Sequence, residues 1–288
     1  KKNLMKIKNK KIINKNLYQL KSKKKFDFVI MENALDNFKN QKTILKKLIS
    51  LTKKNGNIIL SIGDNIGMLS VKLRYILSLI LVEQDKITNF NKKKLFLSNI
   101  FKSHLAYLSK YTRKSTKWVL DTVLNSEWLR KKDYINYNYL IKNLNKNILI
   151  QNISPSFHKK YTWYKILDFK TINRDYLKSY NEDKINFLDF ETKFKTNLNI
   201  DSNLKKIYSE INKLDPQKKI IKKIIINIEM EIAKIIKKIK VKNKIYLALL
   251  EFKNILKNYR EDKKISTKTK YLKKFWGIYS QHVLLYKN

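Results

Sequence analysis

The chain has 288 residues, of which 65 are basic and 23 acidic, so its formal net charge is +42. That length is sufficient for one large domain or two small ones. Because there is no cysteine, disulfides and thiolate metal sites are excluded, and the three histidines are too far apart in sequence to show metal-ligand spacing.

The clearest pattern lies in residues 26–63. An apolar run, Phe26–Ile30, is typical of a buried strand, and a helix should follow with apolar Ile44, Leu45, Leu48, Ile49 and Leu51. Asn55-Gly56 is expected to stop this helix before a second β-rich run, Asn57–Ile62. Strand, helix and strand in this order predict a βαβ unit of a parallel sheet.

The middle of the chain is predicted to be helical, with one further strand. A turn at Gly63–Gly67 precedes an apolar helix, and residues 89–146 show helical spacing of apolar side chains. The apolar run Tyr75–Val82 is too short to cross a bilayer. Asn147–Ile153 has the composition of a strand and is closed by Ser154-Pro155.

The pattern becomes strongly helical from Asp201 onward. Asp215-Pro216 is predicted to start a helix, with an N-cap acid before proline. An isoleucine stripe follows, predicting packing against neighbouring helices such as Ile245–Tyr259; it comprises Ile221, Ile224, Ile225, Ile228, Ile232, Ile235, Ile236 and Ile239. Gln281–Tyr286 then has the composition of a terminal strand.

This ordered set resembles the centre of the class I S-adenosylmethionine-dependent methyltransferases. Phe26–Ile30 matches a strand that ends "fDfVi", and Met31–Leu35 matches the segment lining the methyl-transfer pocket. Leu48–Gly56 matches the helix end and turn, where the family usually has Pro-Gly-Gly before the next strand. Upstream, Ile12–Leu17 is similar to the strand and turn that contact the adenine, with Asn16 where the family often has Asp.

The resemblance implies an α/β fold, a partial Rossmann-like class I methyltransferase sheet with a large helical cap and C-terminal insertion. Residues 1–88 would be a partial cofactor domain, and residues 89–155 a helical cap plus the sixth strand. Residues 156–275 would be a mostly helical insertion. Residues 276–288 would return to the sheet as an antiparallel seventh strand beside the fifth.

The family's glycine-rich loop has no counterpart in the sequence. That loop follows the first strand, where glycine lets the backbone approach the cofactor closely. Here no glycine precedes Gly56, and no strand precedes Ile12. We therefore interpret the chain as a fragment that lacks the cofactor loop and expect it to be inactive alone.

The resemblance implies S-adenosyl-L-methionine as cofactor, contacted by Asn16, Leu17, Met31, Glu32 and Asn33. An acceptor that is a hydroxyl or a protonated amine needs a base within hydrogen-bond reach. The candidate bases are Glu32, Asp36, Asp121 and His158. No metal ligand is predicted.

Three further residues are candidates for contacts to the acceptor. Arg74 could bind an anionic group of the substrate or be an exposed helix residue. Trp118 and Tyr134 could line the substrate pocket, as could Trp128 and Tyr137, and the alternative for all four is a packed aromatic core.

The net charge alone would indicate a nucleic-acid or membrane-surface partner. Only five basic residues are arginine, the side chain favoured for bidentate phosphate recognition; they are Arg74, Arg113, Arg130, Arg174 and Arg260. Lys, Asn and Ile dominate throughout, as an AT-rich coding sequence would produce. We weigh this bias above a dedicated nucleic-acid surface, and we expect non-specific polyanion binding at low salt.

The leading hypothesis is a cytoplasmic methyltransferase acting on a small molecule or a sugar-type metabolite. One alternative is a basic RNA-binding module or a tRNA or rRNA methyltransferase. Another is a helical scaffold on a degenerate methyltransferase core. The acceptor and the oligomeric state stay open.

Overall fold

A computed structural model describes residues 14, 16–20, 22–108, 113–130, 135–156, 171–194 and 198–288. They form a mixed α/β structure around a four-stranded sheet. The strands are β1 (Phe26–Met31), β2 (Thr52–Gly63), β3 (Ile148–Ser154) and β4 (Ser280–Lys287). The predicted α/β class is confirmed.

The strand order across the sheet is β1-β2-β4-β3. β1 and β2 pair in parallel, with Val29 opposite Ile58. β4 is antiparallel to both of its neighbours, so β3 runs in the same direction as β2. The predicted terminal strand therefore exists and lies beside the second strand of the βαβ unit, although the division of the chain into domains stays a prediction.

Ten α-helices lie within the described ranges. They are α1 (Gln41–Leu51), α2 (Asn65–Gln84), α3 (Phe90–Ala106), α4 (Ser115–Asp121), α5 (Ser126–Leu129), α6 (Tyr137–Asn143), α7 (Ile172–Asp183), α8 (Asp201–Ile211), α9 (Lys222–Ile239) and α10 (Lys244–Arg260). The abundant asparagine has a local role, because an Asn or Asp side chain accepts a backbone N–H at the start of six of these helices.

The predicted stop of α1 at Asn55-Gly56 is wrong. The helix ends at Leu51, and Thr52 already has extended backbone with φ −89° and ψ 135°. Asn55 instead adopts a positive φ of 61° inside β2, where the pairing with β1 shifts register between Phe26 and Phe28. The Asn-Gly pair therefore accompanies an irregularity in the strand. Asn tolerates the left-handed backbone at position 55, and a Cβ on Gly56 would lie only 2.8 Å from Thr52 Cγ2.

The predicted helix start at Asp215-Pro216 is also wrong. Those residues form a turn in which Asp215 accepts the N–H of Gln217, and α9 begins only at Lys222. Ile221 therefore precedes the helix and is 59% exposed, although the stripe pattern included it. The other seven stripe isoleucines are buried, and each burial contributes about 2 kcal/mol.

Two clusters of buried side chains organise the interior. The helical cluster combines residues of α2–α5 with residues of α8–α10 and the segment before β4. The sheet cluster lies between α1, α6, α7 and one face of the sheet, where Ile58, Leu60 and Ile62 alternate along β2. A 3₁₀ segment, Lys184–Leu188, contributes Phe187 to the sheet cluster and Leu188 to the helical cluster.

β1 lies at the edge of the sheet and has no second strand partner in the described part of the chain. Its side chains Phe26, Phe28 and Ile30 are 40%, 62% and 61% exposed. Strands of parallel sheets are normally covered on both faces. β1 therefore has an unpaired edge, and these three alternating side chains leave one face of the strand apolar and exposed.

α2 is the one helix among the described residues that is long and apolar enough to span a membrane. In the structure 78% of its apolar window is buried. Its apolar residues from Ile66 to Leu81 belong to the helical cluster.

α2 crosses the segment that leads into β4 at a contact between two glycines. A Cβ on Gly67 would overlap the backbone of Ile278, and a Cβ on Gly277 would overlap the backbone of Gly67. The N–H of Gly277 also donates to the Ser70 hydroxyl at 2.9 Å. The two backbones therefore touch with no space for a side chain.

We expect Gly67→Ala to lower the free energy of unfolding by about 2 kcal/mol, because the two backbones must separate. Alanine is the better helix former by about 1 kcal/mol, so intrinsic helix propensity predicts the opposite sign. Urea denaturation measures the change. The control is Asn91→Ala at an exposed position of α3; a Gly67→Ala protein as stable as this control would contradict the close crossing.

Candidate functional site

The carboxyl ends of β1, β2 and β3 lie at the same edge of the sheet, together with the start of β4. Gly63 at the end of β2 pairs with Ser280, and Ser154 at the end of β3 pairs with His282. In open α/β sheets, ligands bind in crevices at the carboxyl ends of the strands. This edge is therefore the expected location of a ligand site.

The segment after β1 is tied to the start of β4. Asn33 adopts a positive φ of 50°, and its amide oxygen accepts the Ser280 hydroxyl at 3.1 Å. The Asp36 carboxylate accepts a short hydrogen bond from the Tyr279 hydroxyl. The structure thus places two predicted residues, Asn33 and Asp36, at the carboxyl edge, whereas Glu32 beside them is exposed.

A cleft of about 420 Å³ opens beside the end of β2. Its walls come from the start of α2, from α6, from the end of α7 and from α8. The lining side chains are mainly amides, lysines and tyrosines: Asn65, Asn136, Asn138, Tyr139, Lys142, Tyr180, Lys184, Asp201, Lys205 and Tyr208, with Ile66 and Leu204. The volume falls within the range of small-molecule pockets.

Asp64 lies behind the wall of this cleft and is fully buried. One carboxylate oxygen accepts the N–H groups of Ile66 at 2.8 Å and Gly67 at 3.0 Å, which caps α2. The other accepts the Tyr180 hydroxyl at 2.6 Å. Burial raises the pKa of Asp64 to about 6, although the hydrogen bond from Tyr180 favours the charged form.

Positive charge dominates the mouth of the cleft. Lys184 forms a short ion pair with Asp201 at the end of α7. Lys142 and Lys205 are exposed and form no ion pair within the described ranges. The amide oxygen of Asn65 is buried and has no hydrogen-bond partner in the described part of the structure. The cleft therefore combines unneutralised lysines with an unused polar group.

Arg74, the candidate substrate contact, is fully buried, so the alternative of an exposed helix residue is wrong. Its guanidinium donates to the carbonyls of Ser70 and Leu272, both at 2.8 Å, and lies 3.7 Å from the centre of the Trp276 ring. Burial lowers the pKa of Arg74 to about 9. Its donors serve the protein interior, which leaves no surface for a substrate anion.

His104 completes this buried group. Its Nδ1 accepts the Arg74 Nε–H at 3.2 Å, so the ring proton resides on Nε2, 3.0 Å from the Thr269 hydroxyl. Burial and the adjacent Arg74 lower the pKa of His104 to about 2, which keeps the ring neutral. The Arg74–His104 pair thus joins α2, α3 and the segment before β4 as a structural connection.

The aromatic candidates divide between core and edge. Trp118 is only 6% exposed and packs edge-to-face on Phe101 and Trp276, so the core alternative is correct for it. Tyr137 is likewise buried in the sheet cluster. Trp128 packs on Tyr279 at 5.3 Å and is therefore held near the carboxyl edge.

The other predicted residues are dispersed. Asp121 is exposed, pairs with Arg113, and does not line the cleft. Leu17 and Met31 both pack against the sheet cluster, whereas Asn16 is exposed and accepts the N–H of Tyr18. Tyr134 and His158 lie outside the described residues. So do residues 12 and 13 of the strand and turn expected at Ile12–Leu17.

The described arginines do not form a phosphate-binding surface. Besides the buried Arg74, Arg130 donates to the Leu214 carbonyl, Arg113 pairs with Asp121, and Arg260 pairs with Glu229. Arg174 is exposed and forms no ion pair with another described residue. A search of the described residues also finds no cluster of three or more His, Asp or Glu side chains suited to a metal ion.

No protein-family model matches this chain, and comparisons with curated proteins and with solved structures find no match.

Sequence reasoning missed the cleft. The Gly63-Asp64-Asn65 turn carried a usable signal, because an acid directly after a buried strand and before a helix is a typical N-cap. Tyr180 and Lys184 carried no such signal. They lie more than a hundred residues from Asp64 and reach the cleft only through the packing of α7.

We expect Arg74→Met to lower the free energy of unfolding by about 3 kcal/mol, because His104 and two carbonyls would lose their donor inside the core. The control, Arg174→Met on the exposed face of α7, should change stability by less than about 0.5 kcal/mol. Urea denaturation distinguishes them. Wild-type stability of the Arg74→Met protein would contradict the structural role.

Asp64 should make stability depend on pH. Its pKa rises from 3.8 to about 6 on folding, so the unfolded chain releases the proton first as pH increases. The wild type should therefore lose about 3 kcal/mol between about pH 4 and pH 6. Asp64→Asn cannot ionise and keeps an acceptor for the α2 cap. Between about pH 4 and pH 6, its free energy of unfolding should therefore rise relative to that of the wild type by about 3 kcal/mol.

Urea denaturation of both proteins at several pH values measures this difference. Tyr180, Tyr137 and Asp201 are the titratable groups that interact with Asp64. Tyr180→Phe should extend the loss of stability to higher pH, because the Tyr180 hydroxyl that it removes favours the charged form of Asp64. Parallel pH profiles for the wild type and Asp64→Asn would contradict the raised pKa.

Proposed function

We propose that the chain is the acceptor-binding part of a class I S-adenosylmethionine-dependent methyltransferase that acts on a small cytoplasmic metabolite. One observation carries the proposal: the C-terminal strand β4 lies antiparallel between two strands, β2 and β3, that run parallel to each other. Class I methyltransferases end with such a strand beside the fifth. Under this proposal β1, β2, β3 and β4 correspond to the fourth, fifth, sixth and seventh strands.

The position of the βαβ unit also supports the proposal. The segment that resembles the methyl-transfer pocket, Met31–Leu35, follows β1 at the carboxyl edge. Its turn is held by the hydrogen bond between Ser280 and Asn33. This connection would orient the pocket segment against the terminal strand.

Only one side of a cofactor site is available in this chain. Half-buried Met31 and the polar groups of Glu32 and Asn33 at the end of β1 would suit apolar and polar parts of an adenosyl group. The four glycines occur at positions 56, 63, 67 and 277, so none precedes β1 or lies in the segment that joins β1 to α1. The proposal therefore includes a further glycine-containing segment that pairs with the unpaired edge of β1.

Methyl transfer makes few chemical demands on these residues. Bound S-adenosylmethionine would supply an electrophilic methyl group, and the protein would hold the acceptor in line with it. Asp36 is the predicted base that the structure places at the edge, where the Tyr279 hydroxyl holds its carboxylate in place. It would remove the proton from an acceptor hydroxyl in this proposal.

The proposal is tested by nuclear magnetic resonance with S-adenosylhomocysteine, the demethylated product of the cofactor. We expect saturable shifts at Met31, Glu32 and Asn33, with a dissociation constant of about 1 mM for this chain alone. Asn33→Gly keeps the positive φ and removes the amide, so it should weaken binding while leaving the fold intact. Ser266→Gly at an exposed loop position serves as the control.

Absence of shifts at this edge at ligand concentrations well above that constant would overturn the proposal. Transfer of radioactive methyl from S-adenosylmethionine to low-molecular-weight cell extract provides a second measurement once a sheet-completing segment is added. Selective, saturable binding of one RNA at physiological salt would favour the RNA alternative. RNA affinity that falls steeply with salt, without preference among RNAs, would reflect net charge alone.

A further inference from the structure

We propose that the cleft beside α2 binds a small anionic molecule that also carries hydroxyl groups, of about the size of a sugar phosphate. This inference deepens the proposed function, on which it rests for one point only: that the bound molecule is the methyl acceptor. The binding site itself is argued from the cleft.

The first argument is charge. Lys142, Lys184 and Lys205 line the cleft, and Asp201 is the one carboxylate among its lining residues. Asp201 is already paired with Lys184, whose side chain is only 14% exposed. The remaining two lysines, on α6 and α8, face the same opening without a carboxylate partner in the described residues. An anion between them would make charge-assisted hydrogen bonds to both.

The second argument is a polar group without a partner. Asn65 lines the cleft, and its amide oxygen is shielded from solvent without a hydrogen bond in the described structure. A buried acceptor left unsatisfied costs about 1–3 kcal/mol. Because this oxygen is shielded from solvent, a hydroxyl of a bound ligand would satisfy it after the Asn65 side chain rotates toward the cleft. The start of α2 is not itself the anion site, because Asp64 already accepts the N–H groups of Ile66 and Gly67.

The third argument is shape and lining. The cleft of about 420 Å³ suits a molecule of monosaccharide size. Its tyrosines are held in place: the Tyr208 hydroxyl donates a short hydrogen bond to the Asn65 carbonyl, and the Tyr180 hydroxyl donates to Asp64 at 2.6 Å. Tyr139, which is 36% exposed, offers an apolar ring face at the opening. A cleft of this limited volume favours a small ligand over an extended polymer.

The site also has a defined relation to the reaction edge. Asn65 is two residues beyond the end of β2, and Tyr180 is joined to Asp64 between them. The pocket segment Met31–Leu35 follows β1, the neighbour of β2, at the same edge. If Lys142 and Lys205 bind the anionic group of the ligand, its hydroxyl end would lie near Asn65, at the carboxyl edge of the sheet.

Calorimetric titration of the purified chain with glucose 6-phosphate, inorganic phosphate and glucose tests the inference. Physiological salt limits non-specific attraction to a chain of net charge +42. We expect saturable binding of glucose 6-phosphate, weaker binding of inorganic phosphate and none of glucose. The double variant Lys142→Ala with Lys205→Ala should weaken glucose 6-phosphate binding by about tenfold or more.

The matched control is the double variant Lys92→Ala with Lys223→Ala. It removes the same net charge from exposed positions of α3 and α9 that do not line the cleft. We expect it to change the affinity by less than about twofold, because distant exposed charges are screened. Asn65→Ala should weaken binding of glucose 6-phosphate more than that of inorganic phosphate, which would locate the hydroxyl contact.

Equal losses in the two lysine pairs would overturn the inference and reduce the effect to net charge. Absence of saturable binding of both phosphate probes would overturn it as well. These titrations contain no S-adenosylmethionine or its product. An anion site can therefore fail while cofactor binding at Met31–Asn33 stands, and the reverse result would leave the anion site standing without the methyltransferase proposal.

Discussion

The structure depends on the insertion of the C-terminal strand into the middle of the sheet. β4 is hydrogen-bonded on both sides, so without it β3 would have no connection to the β1–β2 pair. The chain reaches this position only by crossing α2, where Gly67 and Gly277 bring two backbones into contact. Asp189 supports the same passage by accepting the N–H of Trp276. The sheet, the helical cluster and the carboxyl edge are therefore assembled by one crossing.

The same crossing explains why two kinds of buried polar group occur side by side. Arg74 and His104 are held by contacts to each other, to Ser70 and to the returning segment, and each of their side-chain nitrogens has a protein partner. Asp64 and Asn65, at the start of the same helix, face the other way and line or support a cleft. Hydrogen bonds offset the cost of burial in the first group, whereas the side-chain oxygen of Asn65 stays without a partner in the described structure.

Local neutralisation of charge distinguishes the basic residues of this chain better than its net charge does. Several buried or half-buried acidic side chains form ion pairs with lysine, as in the pair of Lys244 with buried Asp189. Lys142 and Lys205 differ because they share a concave opening without such a match. A charge excess of +42 spread over a surface attracts polyanions without selectivity, while two charges facing one cleft can select a small anion.

The sequence by itself determined the local elements whose signals are short in range. The strand at Phe26–Ile30, the isoleucine face of α9 and the β character of Gln281–Tyr286 follow from periodicity and composition. Turn chemistry was less informative, since Asn55 and Asp215 each favour several local conformations. Only the tertiary structure decided that Arg74 is buried and that Lys142 and Lys205 line one cleft. Both outcomes depend on which helices pack together across long sequence separations.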